Sequence, residues 1–103
     1  TLIDAIALQR SIGVSEVVIH ALRFAACAGT RGNALVPGPW TPTPVKLTGA
    51  GDRFNAGYGL GLMLDLPADQ RLALGSATSG AFVRTGISPD LQAVLAGCRD
   101  FAG

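Results

Sequence analysis

The stretch KLTGAGDRFNAGYGLGLML, residues 46–64, places glycines and a carboxylate directly before an apolar run with helical spacing. A Gly-Ala-Gly turn at this point would direct the backbone N–H groups of Ala50, Gly51 and Asp52 towards one position. The glycines there have no side chain that blocks a ligand. Free N–H groups at a helix N-terminus attract phosphate, and the Asp52 carboxylate could accept a proton from an attacking hydroxyl. An anion hole beside a base is the requirement for phosphoryl transfer to an alcohol.

A second interpretation of the same residues is structural: a glycine turn followed by an aspartate that caps the helix. Two familiar phosphate-binding motifs do not fit the stretch. A P-loop requires a Gly-Lys pair, which the chain does not contain, and a dinucleotide fingerprint requires a third glycine where Phe54 or Leu64 stands. The four residues alone therefore leave a phosphate site and a simple cap open.

The composition limits the setting in which this chemistry could occur. The 103 residues suffice for one small domain, and they are 49% hydrophobic and only 15% charged, with a mean hydropathy of +0.40. A free-standing small domain normally covers more of its surface with charges. We therefore expect the chain to be buried against a partner or to belong to a larger protein.

The charge pattern and the cysteines exclude several function classes. The net charge is +1 and the basic residues are scattered, so no basic stripe for nucleic acid forms. No apolar stretch reaches the roughly 18 residues of a membrane span. Cys27 and Cys98 lie far apart and the chain has one histidine, so neither a zinc motif nor a disulfide framework is predicted and no metal-ligating residue is assigned. A cytoplasmic location is the expectation.

The elements that would position the Gly-Ala-Gly-Asp stretch follow from periodicity and from turn residues. Apolar spacing predicts helices, short β-branched runs predict strands, and the prolines of residues 37–44 predict an extended connector. The expected order is helix 2–12, buried strand 16–20, strands 23–28 and 34–36 around the turn GTRGN, strand 45–47, and helices 52–64, 68–84 and 89–101, the last capped by Ser88 with Pro89 in its first turn. This order predicts an α/β layer structure.

A wider set of residues resembles a known family. The signature formed by Thr48, Gly49, Ala50, Gly51 and Asp52, followed by Phe54, Ala56 and Gly57, is similar to the second signature of the ribokinase-like (PfkB) sugar and nucleoside kinases. The strand ending VVIH, the hairpin, the proline-bearing connector and the later LGSATSGAFVRTG follow the order of that family's C-terminal region. The resemblance covers essentially the whole chain. It implies that residues 1–103 are the C-terminal nucleotide-binding and catalytic part of a ribokinase-like three-layer α/β/α sandwich, without the N-terminal acceptor-binding part and lid.

The resemblance also implies roles for individual residues. Asp52 takes the place of the catalytic base, Gly49, Ala50 and Gly51 take that of the anion hole, and Thr48 is carried over as a nucleotide contact. The small residues of helix 68–84 match a segment on which adenine lies, which makes Ser76, Ala77, Ser79 and Gly80 candidates for that surface. Packing against another helix is an equal alternative for these small residues.

Three features of the sequence depart from the family pattern. His20 and Arg23 stand where many members have Thr-x-Gly in contact with nucleotide phosphates, so either could replace that contact or be structural. Lys46 stands where many members have an aspartate that binds a monovalent cation. Arg53 stands after the base, where a small residue is common, and could reach substrate, phosphate or only solvent.

The function implied is ATP-dependent phosphoryl transfer to a hydroxyl of a sugar or related small molecule, with ATP and Mg²⁺. The missing N-terminal part of the same kinase is the expected partner, a homodimer is allowed, and nucleic acid and membrane are not expected. The isolated chain should be inactive. One alternative is a nucleotide-binding or regulatory module without transfer, although such a module gains nothing from a carboxylate beside phosphate charge. Another is a structural interaction domain in which the motif only caps a helix.

Overall fold

The helices and strands of the chain follow the predicted order closely. The computed structural model describes residues 2–21, 23–38 and 41–102. Its elements are α1 (Leu2–Ile12), β1 (Glu16–His20), β2 (Phe24–Gly29), β3 (Ala34–Pro37), α2 (Ala50–Met63), α3 (Ala68–Thr85) and α4 (Leu91–Ala102). The α/β class is therefore confirmed, and three strands and four helices agree with prediction to within two residues at each end.

The three strands form an antiparallel sheet in the order β1-β2-β3. The central strand β2 has the sequence FAACAG, and its small side chains let helices approach both faces. Ala26 and Ala28 face Ala5 of α1, while Ala25 and Cys27 face Phe54 and other buried side chains of α2 and α3. Helices thus cover both faces of the small sheet, and α2 is held above the face opposite α1.

The prediction that β1 is buried is wrong. Val18 is 36% exposed and His20 is exposed, whereas the four central residues of β2 are buried. The physical reason is position, because β1 lies at an edge of the described sheet and only one of its edges is paired. Its β-branched composition predicts a strand, but composition does not say which place in a sheet the strand occupies.

The predicted strand over residues 45–47 is also wrong. The amides of Val45 and Lys46 both donate to the carbonyl of Val83, at distances of 2.8 and 3.3 Å, so these residues pair with the end of α3 instead of with a strand. The start of α4 differs as well. Asp90 Oδ1 accepts a hydrogen bond from the Ala93 amide at 2.8 Å, which makes Asp90 the cap in place of Ser88.

Glycines allow α2 and α3 to pack with their backbones close together. A Cβ atom on Gly57 would lie 2.5 Å from Thr78 Oγ1 and 2.9 Å from the Cα of Gly75, and one on Gly61 would lie 3.1 Å from Arg71. Gly59 has open space instead. Gly57 and Gly61 therefore allow the close approach of α3, whereas the side of α2 that carries Gly59 does not face α3.

A buried arginine, which the sequence analysis did not single out, connects three elements. Arg71 of α3 is 2% exposed and donates from Nη2 to Glu16 Oε1 of β1 at 2.7 Å, from Nε to the hydroxyl of Tyr58 at 3.3 Å, and from Nη1 to the carbonyl of Leu66 at 2.8 Å. Burial raises the pKa of the Tyr58 phenol, so this hydroxyl stays protonated at neutral pH. These contacts fasten the edge strand β1 to α3 and to the middle of α2.

Candidate functional site

The helix that carries the Gly-Ala-Gly-Asp stretch begins earlier than predicted. Gly49 is the N-cap residue of α2 with φ +94°, Ala50 is the first helical residue, and no side chain makes a capping hydrogen bond. A left-handed backbone at the cap suits glycine, because it has no Cβ. Asp52 is the third residue of the helix, so the interpretation of Asp52 as the helix cap is wrong. Its carboxylate lies in the first turn without serving as the cap.

Two backbone amides at this helix end remain available to a ligand. The Ala50 amide donates to the carbonyl of Leu47 at 3.0 Å, and the Arg53 amide donates to the carbonyl of Gly49 at 3.2 Å. Within residues 2–21, 23–38 and 41–102, the amides of Gly51 and Asp52 have no backbone acceptor of this kind. The sequence predicted three converging amides, and the structure leaves two of them free at the positive end of the helix dipole.

The helix end opens onto a cavity of about 540 Å³. A volume of this size lies within the range of about 300–1,000 Å³ that small-molecule sites occupy. The walls come from the end of β1, the proline-rich connector, the start of α2 and the middle of α3. The lining residues are His20, Ala21, Thr41, Pro42, Pro44, Leu47, Ala50, Gly51, Ser79, Gly80 and Val83. The tertiary structure therefore brings the Gly-Ala-Gly turn and the small residues of α3 to one cavity, although about 30 residues separate them.

The four small residues predicted to contact adenine divide into two pairs. All four residues are buried, but Ser79 and Gly80 are among the residues that line the cavity and Ser76 and Ala77 are not. Ala77 packs in a cluster with Leu74 of α3 and Val94 of α4. In the described part of the chain, the Ser76 hydroxyl has no hydrogen-bond partner. Packing against α4 therefore accounts for Ala77, while the adenine surface stays a prediction for Ser79 and Gly80.

The remaining predicted nucleotide contacts lie at different places. His20 lines the cavity, and its ring stacks on Phe54 with centroids 4.2 Å apart and planes 13° apart. His20 is exposed overall, but partial desolvation of its ring lowers the pKa of the imidazole, which favours the neutral form. Thr48 lies in the turn before α2, and both Thr48 and Arg23 are exposed and are not among the lining residues. Of these three, His20 is the one that the fold brings to the cavity wall.

Asp52 follows the cavity-lining Gly51 and is itself exposed. Its position in the first turn of α2 places a carboxylate beside the two free amides. A carboxylate that is exposed and is not engaged as a helix cap is free to meet a bound hydroxyl. The capping role of Asp52 is thus removed, while its role as a base beside an anion hole stays a prediction.

The two cationic residues that flank the motif both lie on one aromatic ring. The Arg53 guanidinium carbon is 4.2 Å from the ring centroid of Phe82, and Lys46 Nζ is 5.9 Å from it. Arg53 also donates from Nε and Nη2 to the hydroxyl of Ser88 at 3.2 and 3.1 Å. Nothing in the sequence pattern pairs Arg53 with Ser88, because the two residues are 35 positions apart.

In residues 2–21, 23–38 and 41–102, no three His, Cys, Asp or Glu side chains are grouped so that they could hold a metal ion. The helices of the same residues include none with the length and apolar character to cross a bilayer.

Comparison with known proteins places these features in a family. A family model described as prokaryotic ketohexokinase matches residues 2–101. A curated ketohexokinase from Haloferax volcanii is 40% identical over 93 residues, which cover 87% of this chain and 25% of that protein. The chain therefore spans about a quarter of the length of the curated relative it matches. Ketohexokinase is a PfkB-family carbohydrate kinase, so the resemblance to the ribokinase-like (PfkB) family is confirmed.

Proposed function

Since this chain belongs to the prokaryotic ketohexokinase family, we propose that it supplies the nucleotide-binding and catalytic end of an ATP-dependent sugar kinase. The observation that carries the proposal is the cavity at the start of α2, which brings Gly51 together with Ser79 and Gly80, while Asp52 follows Gly51 in the first turn of the helix. Family membership supports kinase activity in general. The assignment of single residues to steps of the reaction is our own.

The proposed donor is ATP, with its adenine on the surface of Ser79 and Gly80 and its phosphates towards α2. The free amides of Gly51 and Asp52 would donate hydrogen bonds to phosphate oxygens and stabilise the charge that develops during transfer. Gly49 and Ala50 would contribute through backbone shape, because the Ala50 amide already bonds to Leu47. We propose only minor roles in nucleotide binding for the predicted contacts that do not line the cavity, which are Ser76, Ala77, Thr48 and Arg23.

Asp52 is proposed as the general base. A sugar hydroxyl attacks the γ-phosphorus of ATP, the bond from that phosphorus to the bridging oxygen breaks, and the hydroxyl proton passes to the Asp52 carboxylate. The proton acceptor needs to be within hydrogen-bond reach of the hydroxyl and unoccupied by other partners. Asp52 supports this role because its side chain does not cap α2.

Mg²⁺ is proposed as the companion of ATP. At kinase sites this ion is held by one or two carboxylates and by the nucleotide phosphates themselves, so it does not require a dedicated cluster of protein ligands. When bound, it would neutralise charge on the phosphoryl group that is transferred. The described residues fit this minimal arrangement, because Asp52 offers an exposed carboxylate in the first turn of α2, next in the chain to the cavity-lining Gly51.

The proposed acceptor is a ketohexose, because the relative from Haloferax volcanii is a ketohexokinase. The groups that would recognise this sugar are proposed to lie in an N-terminal part of the same kinase, because the chain corresponds to 25% of that relative. In such a kinase, residues 1–103 would form the C-terminal part of a ribokinase-like three-layer sandwich. Helices on both faces of the small sheet are compatible with this placement.

The proposal is tested on the full-length protein that contains this chain. ADP release would be measured with ATP and Mg²⁺ in the presence of a ketohexose, an aldohexose or no sugar, and the phosphorylated product would be identified by mass spectrometry. We expect ADP release that depends on the ketohexose and yields one hexose phosphate per ADP. Tight ATP binding without product from any sugar would instead favour a binding module and reject the transfer function.

A further inference from the structure

Arg53 joins the start of α2 to the loop that follows α3. Its Nε and Nη2 atoms donate to Ser88 Oγ at 3.2 and 3.1 Å, and Ser88 lies just beyond the C-terminal end of α3. Two donors of one guanidinium therefore converge on a single hydroxyl. A planar, rigid fork can do this while its third nitrogen points elsewhere.

An aromatic ring fixes the same side chain from another direction. The Arg53 guanidinium carbon lies 4.2 Å from the centroid of Phe82, which is 2% exposed in α3. A guanidinium stacked on a buried ring has a defined plane, because attraction to the ring face favours a close approach. The Arg53 side chain is thus held by Phe82 of α3 and by Ser88 of the loop that follows α3.

The third nitrogen of Arg53 contacts the peptide that precedes the phosphate site. Nη1 donates to the carbonyl of Gly49 at 3.4 Å, and the Arg53 amide donates to the same carbonyl at 3.2 Å. The N–H of that peptide, which belongs to Ala50, donates to Leu47 at 3.0 Å. The Gly49–Ala50 peptide is therefore held at both its carbonyl and its N–H, and the next two amides along the chain are those left free for a ligand.

We propose that Arg53 is a positioning residue, which holds the Gly49 peptide so that the amides of Gly51 and Asp52 point at the phosphates. The inference rests on the proposed phosphate site at α2. Gly49 needs such an anchor because its φ of +94° is open to a glycine but is one of several conformations a glycine adopts. Three of the five donors of Arg53 are engaged by Ser88 and Gly49, so the side chain acts mainly through the protein.

The test uses the full-length protein with Arg53→Gln, Arg53→Lys, Ser88→Ala and the double variant Arg53→Gln/Ser88→Ala. We expect Arg53→Gln to lower kcat by about tenfold or more, because small displacements of catalytic groups have effects of this order. The KM for the sugar should stay within about twofold, because Arg53 would position the amides that bind phosphate and not groups that bind the sugar. Lysine should restore only a minor part of kcat, because one ammonium group cannot reproduce the fork. Arg10→Gln, on the exposed side of α1, is the matched control for loss of an arginine.

The double variant separates positioning from direct contact with phosphate. If Arg53 acts through Ser88, Ser88→Ala lowers kcat by several-fold and the double variant is no worse than Arg53→Gln. If Arg53 instead binds phosphate, Ser88→Ala leaves kcat unchanged and Arg53→Gln mainly raises the KM for ATP. That outcome, or a normal kcat in Arg53→Gln, would overturn the inference.

A measurement without turnover keeps this inference distinct from the proposed function. Hydrogen exchange of the peptide covering residues 47–53 should become about tenfold faster in Arg53→Gln, because the Ala50 amide loses its fixed geometry. Arg10→Gln should leave the exchange unchanged. If the wild-type protein phosphorylates no sugar, the proposed function fails, while faster exchange in Arg53→Gln still supports the anchor. Unchanged exchange rejects it in either case.

Discussion

The substitution Asp52→Asn separates catalysis from folding at the start of α2. Asparagine preserves the size of the side chain, and no capping hydrogen bond is lost because Gly49 is the cap. The remaining stability term is the loss of a negative charge in the first helical turn, which amounts to about 0.3–1 kcal/mol. We therefore expect the free energy of unfolding to fall by less than about 1 kcal/mol.

The expected effect on rate is much larger than this effect on stability. Loss of a positioned general base lowers kcat by about 10²–10⁴-fold, which corresponds to about 3–5 kcal/mol of transition-state stabilisation. ATP binding should be unchanged or slightly tighter, because a carboxylate beside the γ-phosphate loses its charge. The two effects thus differ in both size and observable.

The assay compares kcat, ATP affinity and the urea unfolding midpoint of the full-length protein with and without the substitution. Asp69→Asn is a matched control, because Asp69 is the acidic residue in the first turn of α3 and lies outside the cavity lining. The control should show the same small stability loss and a normal kcat. A kcat within threefold of wild type in Asp52→Asn, measured under saturating substrates, would remove Asp52 from the mechanism.

Three further predictions concern packing, the buried ion pair and pH. Gly57→Ala should destabilise the fold by roughly 1–3 kcal/mol in urea unfolding, because its Cβ would lie 2.5 Å from a threonine hydroxyl of α3. Gly59→Ala should instead stabilise the fold by up to about 1 kcal/mol, because its Cβ would enter open space. Equal effects of the two substitutions would refute this packing geometry. Glu16→Ala should lower the free energy of unfolding by about 3 kcal/mol in the same assay, because it leaves the 2% exposed Arg71 without its carboxylate partner. A loss below about 1 kcal/mol would show that water hydrates the Arg71 guanidinium in the variant. Partial burial lowers the pKa of His20 below its ordinary 6.5, so the unfolded state binds the proton more readily than the folded state. The free energy of unfolding should therefore be highest above pH 6.5 and should fall as the pH drops below 6.5. Thermal unfolding of His20→Gln should show less of this acid-side loss, and an identical pH profile would contradict the assignment.

The sequence by itself determines the local features of this protein. Alternation of apolar periods with turns predicts the helices and strands, because each depends on neighbours within a few positions. The Gly-Ala-Gly-Asp stretch predicts a helix end suited to phosphate, and its wider pattern identifies the kinase family. The four helices, three of the strands and the family are confirmed because backbone conformation and short motifs depend on nearby residues, whereas the phosphate role of the helix end stays a prediction.

The tertiary structure decides which of several locally acceptable roles each residue takes. Asp52 is as good a cap as a base by sequence, but the left-handed Gly49 starts α2 early and frees the carboxylate. Contact with α4 assigns Ala77 to packing and leaves Ser79 to the cavity, although both belong to one run of small residues. The amides of Val45 and Lys46 donate to the Val83 carbonyl of α3, a partner that no local sequence pattern specifies.

The same holds for two arginines that join distant segments of the chain. Arg71 is buried against Glu16 across 55 positions of sequence, and Arg53 reaches Ser88 across 35. Charged residues are usually exposed, so sequence alone favours solvent for both. Their partners come within reach only after the sheet and helices have packed. The contact depends on the distance in space between the two groups and not on their separation in the sequence.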